Sequence, residues 1–423
     1  MKCCRRIFLI KGTSVCLSTA FCPTRLFSDE TLNPMKPFDD EILDFIQKRR
    51  IPGSSLAVFN NGRLVYANGY GFSDVDKKIR TVPTTLFRIA SLSKPITAAG
   101  ILKLYEQSKI DLDEPAVEFL KKVIADVDKK IVDKRWRKIS VRHLLQHSGG
   151  WDSGLSGDPM FLSGKTIASG LNRSDVRVSP PDVVEYMLQK PLDFDPGTRY
   201  AYSNFGYCVL GRIIEAASGR RYEDYIRANV LAPLGIKKMR LGFTDFENRE
   251  SDESVFYTRF NNPLMGEIGE NANPYGSFQL ERMDSHGGWV ASSIEYARFC
   301  LAFSDGGDGK TRLFRSSTLK KVIERPSYLS IDERVEVYYG LGWFVRPNGL
   351  AGKPNLWHNG SLPGTYAFAA ILGDGKGWVA LFNGRSVDEK NLPNSAIDPA
   401  LHRAAVKVGR LPEVDLWEKI KSG

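Results

Sequence analysis

The chain has 423 residues, 42% of them apolar and 26% charged, which excludes a disordered chain, a collagen and a many-span membrane protein. Lys and Arg outnumber Asp and Glu by 59 to 49, for a formal charge of +10. Half of that surplus lies in residues 1–28, which hold Lys2, Arg5, Arg6, Lys11 and Arg25 and no acid. A second basic run, Lys121 to Lys138, sets eight Lys and Arg against Asp126, Asp128 and Asp133. No zinc-finger spacing, RNA-binding motif or Gly-rich phosphate loop accompanies it, so it reads as a solvated face and no nucleic-acid partner is expected.

At the N-terminus, Arg5-Arg6-Ile7-Phe8-Leu9 with Lys11 behind it resembles a twin-arginine export signal. The weakly apolar stretch from Gly12 to Cys22 suits that route. Residues 1–34 are therefore read as a targeting leader and linker, with a periplasmic or cell-envelope location expected. An Arg-rich, acid-free start also suits a mitochondrial presequence. Lys11 breaks the segment, so no stable membrane span is expected. Four of the six cysteines (Cys3, Cys4, Cys16, Cys22) fall in this leader. Cys208 and Cys300 lie in apolar, helix-like runs and read as buried free thiols, with no disulfide framework or cysteine zinc site.

Ser54–Phe59, Asn60-Asn61-Gly62 and Arg63–Ala67 then read as two strands joined by a tight hairpin. Helical patterns follow at Pro95–Glu106, Val141–His147, Pro181–Leu188, Phe205–Ser218, Tyr222–Val230, Ser293–Ala302 and Ser317–Glu324. A second hairpin pairs Tyr366–Leu372 with Trp378–Phe382 across a Gly-rich turn, and Ala400–Val408 closes the chain as helix. Strands thus cluster at both ends and helices fill the middle. The expected class is α+β: an antiparallel sheet built from both chain ends, flanked by helices, with an inserted mainly helical subdomain. The expected domain is 35–410, with 411–423 as a C-terminal tail. Trp151–Pro180 and Phe243–Asp284 lack periodicity and read as walls or lids of a site.

Three short motifs carry chemistry. In Phe87-Arg-Ile-Ala-Ser91-Leu-Ser-Lys94-Pro95, Ser91 and Lys94 are three apart at a helix start, so they share a face. Pro95 fits a first helical turn. A serine hydroxyl needs a neighbouring base, and a buried lysine can serve once its pKa falls. Tyr202-Ser-Asn204 lies in a Gly/Ser-rich loop before a helix, where both side chains can be aimed into a cleft; a tyrosine beside a lysine ammonium can act as general base. His358-Asn359-Gly360-Ser361 leads into the terminal β region, where an edge strand can offer a backbone N–H to an oxyanion. Each motif has decoys: Ser317-x-x-Lys320, Tyr66-Ala-Asn68, and His-x-Gly at His147 and His286. His143 and His147 are four apart, but Leu144 stands where a zinc-protease helix has glutamate, so they read as structural histidines.

Together, in the order 91, 202, 358, the motifs resemble the serine β-lactamase/penicillin-binding protein superfamily, in the branch of class C β-lactamases, D-alanyl-D-alanine carboxypeptidases and family VIII esterases. Ile139–Gly149, Gly287–Ser293 and Tyr339–Trp343 look like the same family, and the resemblance covers roughly residues 35–405. It implies Ser91 as acyl-accepting nucleophile, Lys94 as its proton partner and Tyr202 as the base that also activates water. It implies Asn204 as the residue orienting substrate and Lys94. His358, Asn359, Gly360 and Ser361 become the third, substrate-binding motif, with the N–H groups of Ser91 and Ser361 as oxyanion donors. His358 departs from the Lys-Thr-Gly of many β-lactamases: histidine is mostly neutral at pH 7, which weakens carboxylate recognition. The expectation is a serine hydrolase acting on an ester or amide through an acyl-Ser91 intermediate, with a small-molecule or peptide substrate and no metal or organic cofactor. A non-turnover penicillin-binding sensor or a scaffold of the same fold is the alternative. Oligomeric state stays open.

Overall fold

The structure is a computed structural model that describes residues 33–258, 273–304, 312–330, 335–386, 388–417 and 419. The expected leader lies outside the described residues. The N-terminal strands are β1 (Gly53–Asn60), β2 (Arg63–Asp74) and β3 (Ile79–Arg80). Three short strands, β4 (Phe87–Arg88), β5 (Arg240–Leu241) and β6 (Trp289–Ala291), make a small sheet in the order β4-β6-β5. The C-terminal strands are β7 (Tyr338–Tyr339), β8 (Phe344–Arg346), β9 (Asn355–Leu362), β10 (Thr365–Ile371) and β11 (Lys376–Phe382). The main sheet runs β3-β2-β1-β11-β10-β9-β8-β7, all antiparallel. The two chain ends meet at its centre, where Ser54 pairs with Phe382 and Asn60 with Lys376. The α+β class and the two-ended sheet are as the sequence implies.

Both faces of the sheet are covered. On the outer face, helices α1 (Lys36–Arg49) and, near the C-terminus, Ile397–Val408 bury Phe38, Ile42, Phe45, Ile397 and Leu401 against Leu56, Val58, Phe368 and Trp378. The alternate residues Ala57, Phe59, Val379 and Leu381 face inward to the larger core. A one-residue slip would exchange the two sets, so the period-2 pattern fixes register. Each fully buried Leu, Ile or Phe here contributes about 1.5–3 kcal/mol. The Met35, Phe38, Ile42, Phe45, Ile46 spacing of α1 is helical and was passed over in the sequence reading.

The inner core holds α2 (Ser93–Glu106), α3 (Asn204–Ser218) and α4 (Ser293–Leu301). Helix α2 is buried on nearly every side, and at Gly100 an added Cβ would come within 2.5 Å of Ile226 Cδ1 and 2.9 Å of Ile214 Cδ1. Close approach at that point holds α3 and its neighbour against α2. Helix α3 starts at Ser203, whose Oγ accepts the Gly206 N–H at 3.1 Å, and stops at left-handed Gly219.

Two expectations change in detail. The segment 151–180 is not structureless: it carries helices Ser153–Ser156 and Gly164–Gly170 and a 3₁₀ turn at Pro159–Phe161, capped by Asp152, Ser163 and Asp158. They are too short to show a hydrophobic period. The stretch read as a tail packs on the first hairpin, with the Leu416 N–H donating to Leu64 O at 2.8 Å and Trp417 Nε1 to Gly62 O at 3.2 Å. The basic run is a face laced with ion pairs, among them Lys121–Asp128, Lys129–Asp126, Lys130–Glu185 and Arg137–Asp128. Cys208 and Cys300 are buried free thiols. No described helix is long and apolar enough to cross a membrane.

Candidate active site

Ser91 sits in a single 3₁₀ turn, Ala90–Leu92, that runs directly into α2. The turn is pinned from several sides: the Ile89 N–H donates to Trp289 O at 3.0 Å, and Tyr296 Oη donates to Leu92 O at 2.8 Å. Ala90 has φ 47°, a left-handed backbone that costs a non-glycine residue about 1–2 kcal/mol. The surrounding bonds hold the residue before the nucleophile in this conformation. Ser91 is half-buried, whereas the residues on either side are buried.

Lys94, one helical turn on, is fully buried. Its Nζ lies 3.0 Å from Ser91 Oγ, 2.7 Å from Asn204 Oδ1 and 3.0 Å from the backbone carbonyl of His286. Burial pushes its pKa well below the usual lysine range, and the charge of Asp158 opposes that shift only in part. Tyr202 places its ring centroid 4.7 Å from Lys94 Nζ, and its phenol hydrogen-bonds Ser91. Burial holds that phenol well above its usual pKa, with the Ser91 bond pulling the other way. Burial thus disfavours both the ammonium of Lys94 and the phenolate of Tyr202.

Asn204 is the first residue of α3. Its Oδ1 faces Lys94, and its Nδ2 donates to Asp158 Oδ2 at 2.6 Å. Asp158 caps the 3₁₀ turn of the 151–180 segment, its Oδ1 accepting the Met160 N–H at 3.0 Å. Below Tyr202 lies a polar aromatic layer. The His147 ring is 4.2 Å from that of Tyr202, 4.4 Å from Tyr339 and 5.0 Å from Tyr207. His147 Nδ1 accepts the Ser203 N–H at 3.1 Å, which ties the Tyr202 loop to the layer. His143 Nδ1 instead closes a capping box on the Ser140 N–H. Among the described residues no group of His, Cys, Asp and Glu is placed to hold a metal.

The third motif arrives on β9. Residues 355–357 of this strand pair with β8, whereas 358–362 extend beyond it and pair only with β10. The edge expected there is therefore real for the motif half of the strand and absent for the other half. Gly360 packs against the nucleophile turn: an added Cβ would sit 2.1 Å from Ile89 O and 3.0 Å from the Ser91 N. Only glycine lets the strand approach this closely. Ser361, next along, is exposed, and its Oγ accepts from Arg385 Nη1 at 2.9 Å.

Ser91, Lys94, Tyr202, Asn204 and the backbone of Gly360 are brought together as the sequence implies. The side chains of His358 and Asn359 are not presented to the cleft as expected. His358 is fully buried: its Nδ1 donates to Asn359 O at 2.6 Å, and its Nε2 accepts from Tyr339 Oη at 2.9 Å. Burial drives its pKa down to about 3, so it is a neutral strut under the site rather than a contact for substrate. Asn359 points to the opposite face of the strand and hydrogen-bonds Tyr366. Sequence reading missed Asp158, Tyr339 and the His286 carbonyl as parts of the site. Asp158 left a local signal, an Asp-Pro step at a turn start, and Tyr339 opens the family-like stretch Tyr339–Trp343 without a role having been read from it.

A mixed sheet-and-helix fold with a Ser-x-x-Lys helix start, a Tyr-x-Asn loop and a glycine-bearing strand end gathered around Ser91 defines a class. The matching family model, described as "Beta-lactamase", covers residues 38–400, and the chain belongs to that family. The chain is 24% identical over 354 residues to Protein flp of Staphylococcus aureus (strain N315), covering 82% of this chain but 62% of that protein's length. It is 22% identical over 409 residues to a putative D-alanyl-D-alanine carboxypeptidase of Escherichia coli (strain K12), covering 91% of this chain and 88% of that one. Among solved structures, the octameric penicillin-binding protein homologue from Pyrococcus abyssi matches with a TM-score of 0.66 and 25% identity, over 91% of this chain and 79% of that chain.

Proposed function

We propose that the protein is a serine hydrolase that cleaves an ester or amide through an acyl-Ser91 intermediate. One observation carries this reading: a fully buried lysine amine lies against the Ser91 hydroxyl. Lys94 Nζ donates to Asn204 Oδ1, to His286 O and, at 3.0 Å, to Ser91 Oγ. Burial favours loss of one of those protons, and the amine then stands where it can take the proton of the Ser91 hydroxyl.

Ser91 Oγ attacks the carbonyl carbon as its proton moves to Lys94 Nζ. The oxyanion forms against the backbone N–H groups of Ser91 and Ser361, each such donor contributing about 2.7–4 kcal/mol. Tyr202 gives its phenolic proton to the leaving amine or alkoxide while taking one back from Lys94. The C–N or C–O bond breaks and acyl-Ser91 remains. Water then repeats the attack, its proton passing along the same pair, and Ser91 leaves with a proton. With Tyr202 held protonated by burial, relay fits this phenol better than the standing base expected from the resemblance.

The neutral, buried His358 provides no cation for a substrate carboxylate, which favours esters over efficient β-lactam turnover. The name of the Escherichia coli relative points instead to a D-amino-acid peptide. A panel of short-chain aryl esters, D-amino-acid peptides and a chromogenic cephalosporin, run against Ser91→Ala, tests the reading. Turnover of an ester or peptide that Ser91→Ala loses supports it; turnover that survives the substitution overturns it. Labelling by a fluorescent penicillin that persists without release would replace hydrolase with sensor. Export by residues 1–34 belongs to the same proposal and is tested by fusing them to a reporter that is active only outside the cytoplasm.

A further inference from the structure

Lys94 can act as a base only if the amide of Asn204 presents oxygen to it, and nothing in an amide's own shape decides which end faces which way. The neighbour on the far side decides it. Asp158 Oδ2 lies 2.6 Å from Asn204 Nδ2, and an ionised carboxylate can only accept. The –NH₂ end must therefore point to Asp158 and the oxygen to Lys94, 2.7 Å away. We propose that Asp158 is a positioning residue for the reaction: it locks the Asn204 amide, which in turn holds the Lys94 amine against Ser91. The inference rests on the serine-hydrolase reading and adds a fourth member to its hydrogen-bond chain, Asp158–Asn204–Lys94–Ser91.

The second oxygen of Asp158 makes the arrangement specific to aspartate. Oδ1 accepts the Met160 N–H at 3.0 Å, so both oxygens are used as acceptors. Asparagine at 158 has one acceptor for two donors. If it keeps the cap, its –NH₂ faces Asn204 and rewards the flipped amide. The flipped Asn204 then donates to Lys94 and occupies the lone pair that Ser91 needs. Asp158 is also an acidic group acting on Lys94 from the segment 151–180, while His147, His286 and His358 face it neutral and Tyr202 and Tyr207 face it as phenols. Removing the charge of Asp158 lowers the proton affinity of Lys94, so the acid limb of the rate profile moves to lower pH.

The test uses the full chain and a fluorophosphonate probe, which reports on Ser91 without a known substrate. Asp158→Asn is expected to slow labelling by roughly 10²-fold, the scale of a misplaced catalytic group, with the acid limb shifted to lower pH. Asp158→Glu restores part of the rate. In an Asn204→Ala background, Asp158→Asn costs no further rate, because the amide it locks is gone. A purely structural role for the cap predicts the same cost in both backgrounds and an unmoved limb, and that result overturns the proposal. So does wild-type labelling by Asp158→Asn. Labelling that survives Ser91→Ala marks failure of the hydrolase reading instead, so the two failures are told apart.

Discussion

The chain contains the same four-residue pattern twice, and the two copies have opposite fates. Ser91 and Lys94 open a helix that is buried on nearly all sides, whereas Ser317 and Lys320 ride on the short helix Ser316–Val322 with both side chains exposed. The Tyr-x-Asn pattern repeats the lesson. Tyr202 and Asn204 face Ser91 and Lys94, while Tyr66 and Asn68 lie within β2 and both donate to the buried carboxylate of Asp39, which also accepts from Tyr70 at 2.7 Å. That second copy is a mid-strand structural knot. The copies differ in what surrounds them: Lys94 is fully buried with its Nζ 3.0 Å from Ser91 Oγ, and burial lowers its pKa, whereas Lys320 is exposed.

Substitutions in the two lysines test this contrast most severely. Lys94→Met is expected to cut ester turnover by about 10²–10⁴-fold, the contribution of a positioned base. Lys320→Met should leave it within about twofold, and equal losses would break the comparison. Tyr202→Phe should slow both acylation and deacylation, read by single-turnover kinetics, with stability little changed. Tyr66→Phe should do the reverse, costing about 1–3 kcal/mol in denaturant unfolding for the lost buried hydrogen bond, with fluorophosphonate labelling intact. Gly360→Ala forces the strand off the nucleophile turn; it should destabilise by about 1–3 kcal/mol and slow labelling at Ser91.

The smallest effect concerns pH. His358 binds a proton near pH 3 in the folded chain, against about 6.5 when unfolded. Its folded pKa is depressed, so the unfolded state takes up the proton first as pH falls. Stability is therefore full above about pH 6.5 and declines toward pH 3, by at most about 1.4 kcal/mol per unit from this residue. His147 and His286, pushed the same way by burial, add to the slope. Urea midpoints from pH 7 to 4 should show a shallower slope for His358→Gln; an unchanged slope would remove His358 as a contributor.

Much of the fold was legible because both hairpins carry period-2 runs closed by turn residues, and the central helices carry long apolar stripes. Helix α1 is legible too, in the spacing of Phe38, Ile42 and Phe45. Short elements such as β7, β8 and the 151–180 helices offer too few residues for any period. Within the site, Ser91, Lys94, Tyr202 and Asn204 were legible by type and spacing. Those that position them were not: Asp158, Tyr339 and the His286 carbonyl are ordinary in sequence and gain meaning only from distances across the fold. His358 was misplaced because a motif specifies a strand position but not how deeply its side chain is buried.

The most direct test is to map the covalent adduct and follow its rate with pH. After fluorophosphonate treatment, mass spectrometry should find one adduct on the peptide carrying Ser91. Its rate of formation should rise as the amine of Lys94 loses its proton, reaching a plateau below the pKa of free lysine, about 10.4. An adduct on another residue, or a rate that climbs only once an ordinary lysine would deprotonate, contradicts a buried neutral amine as the base.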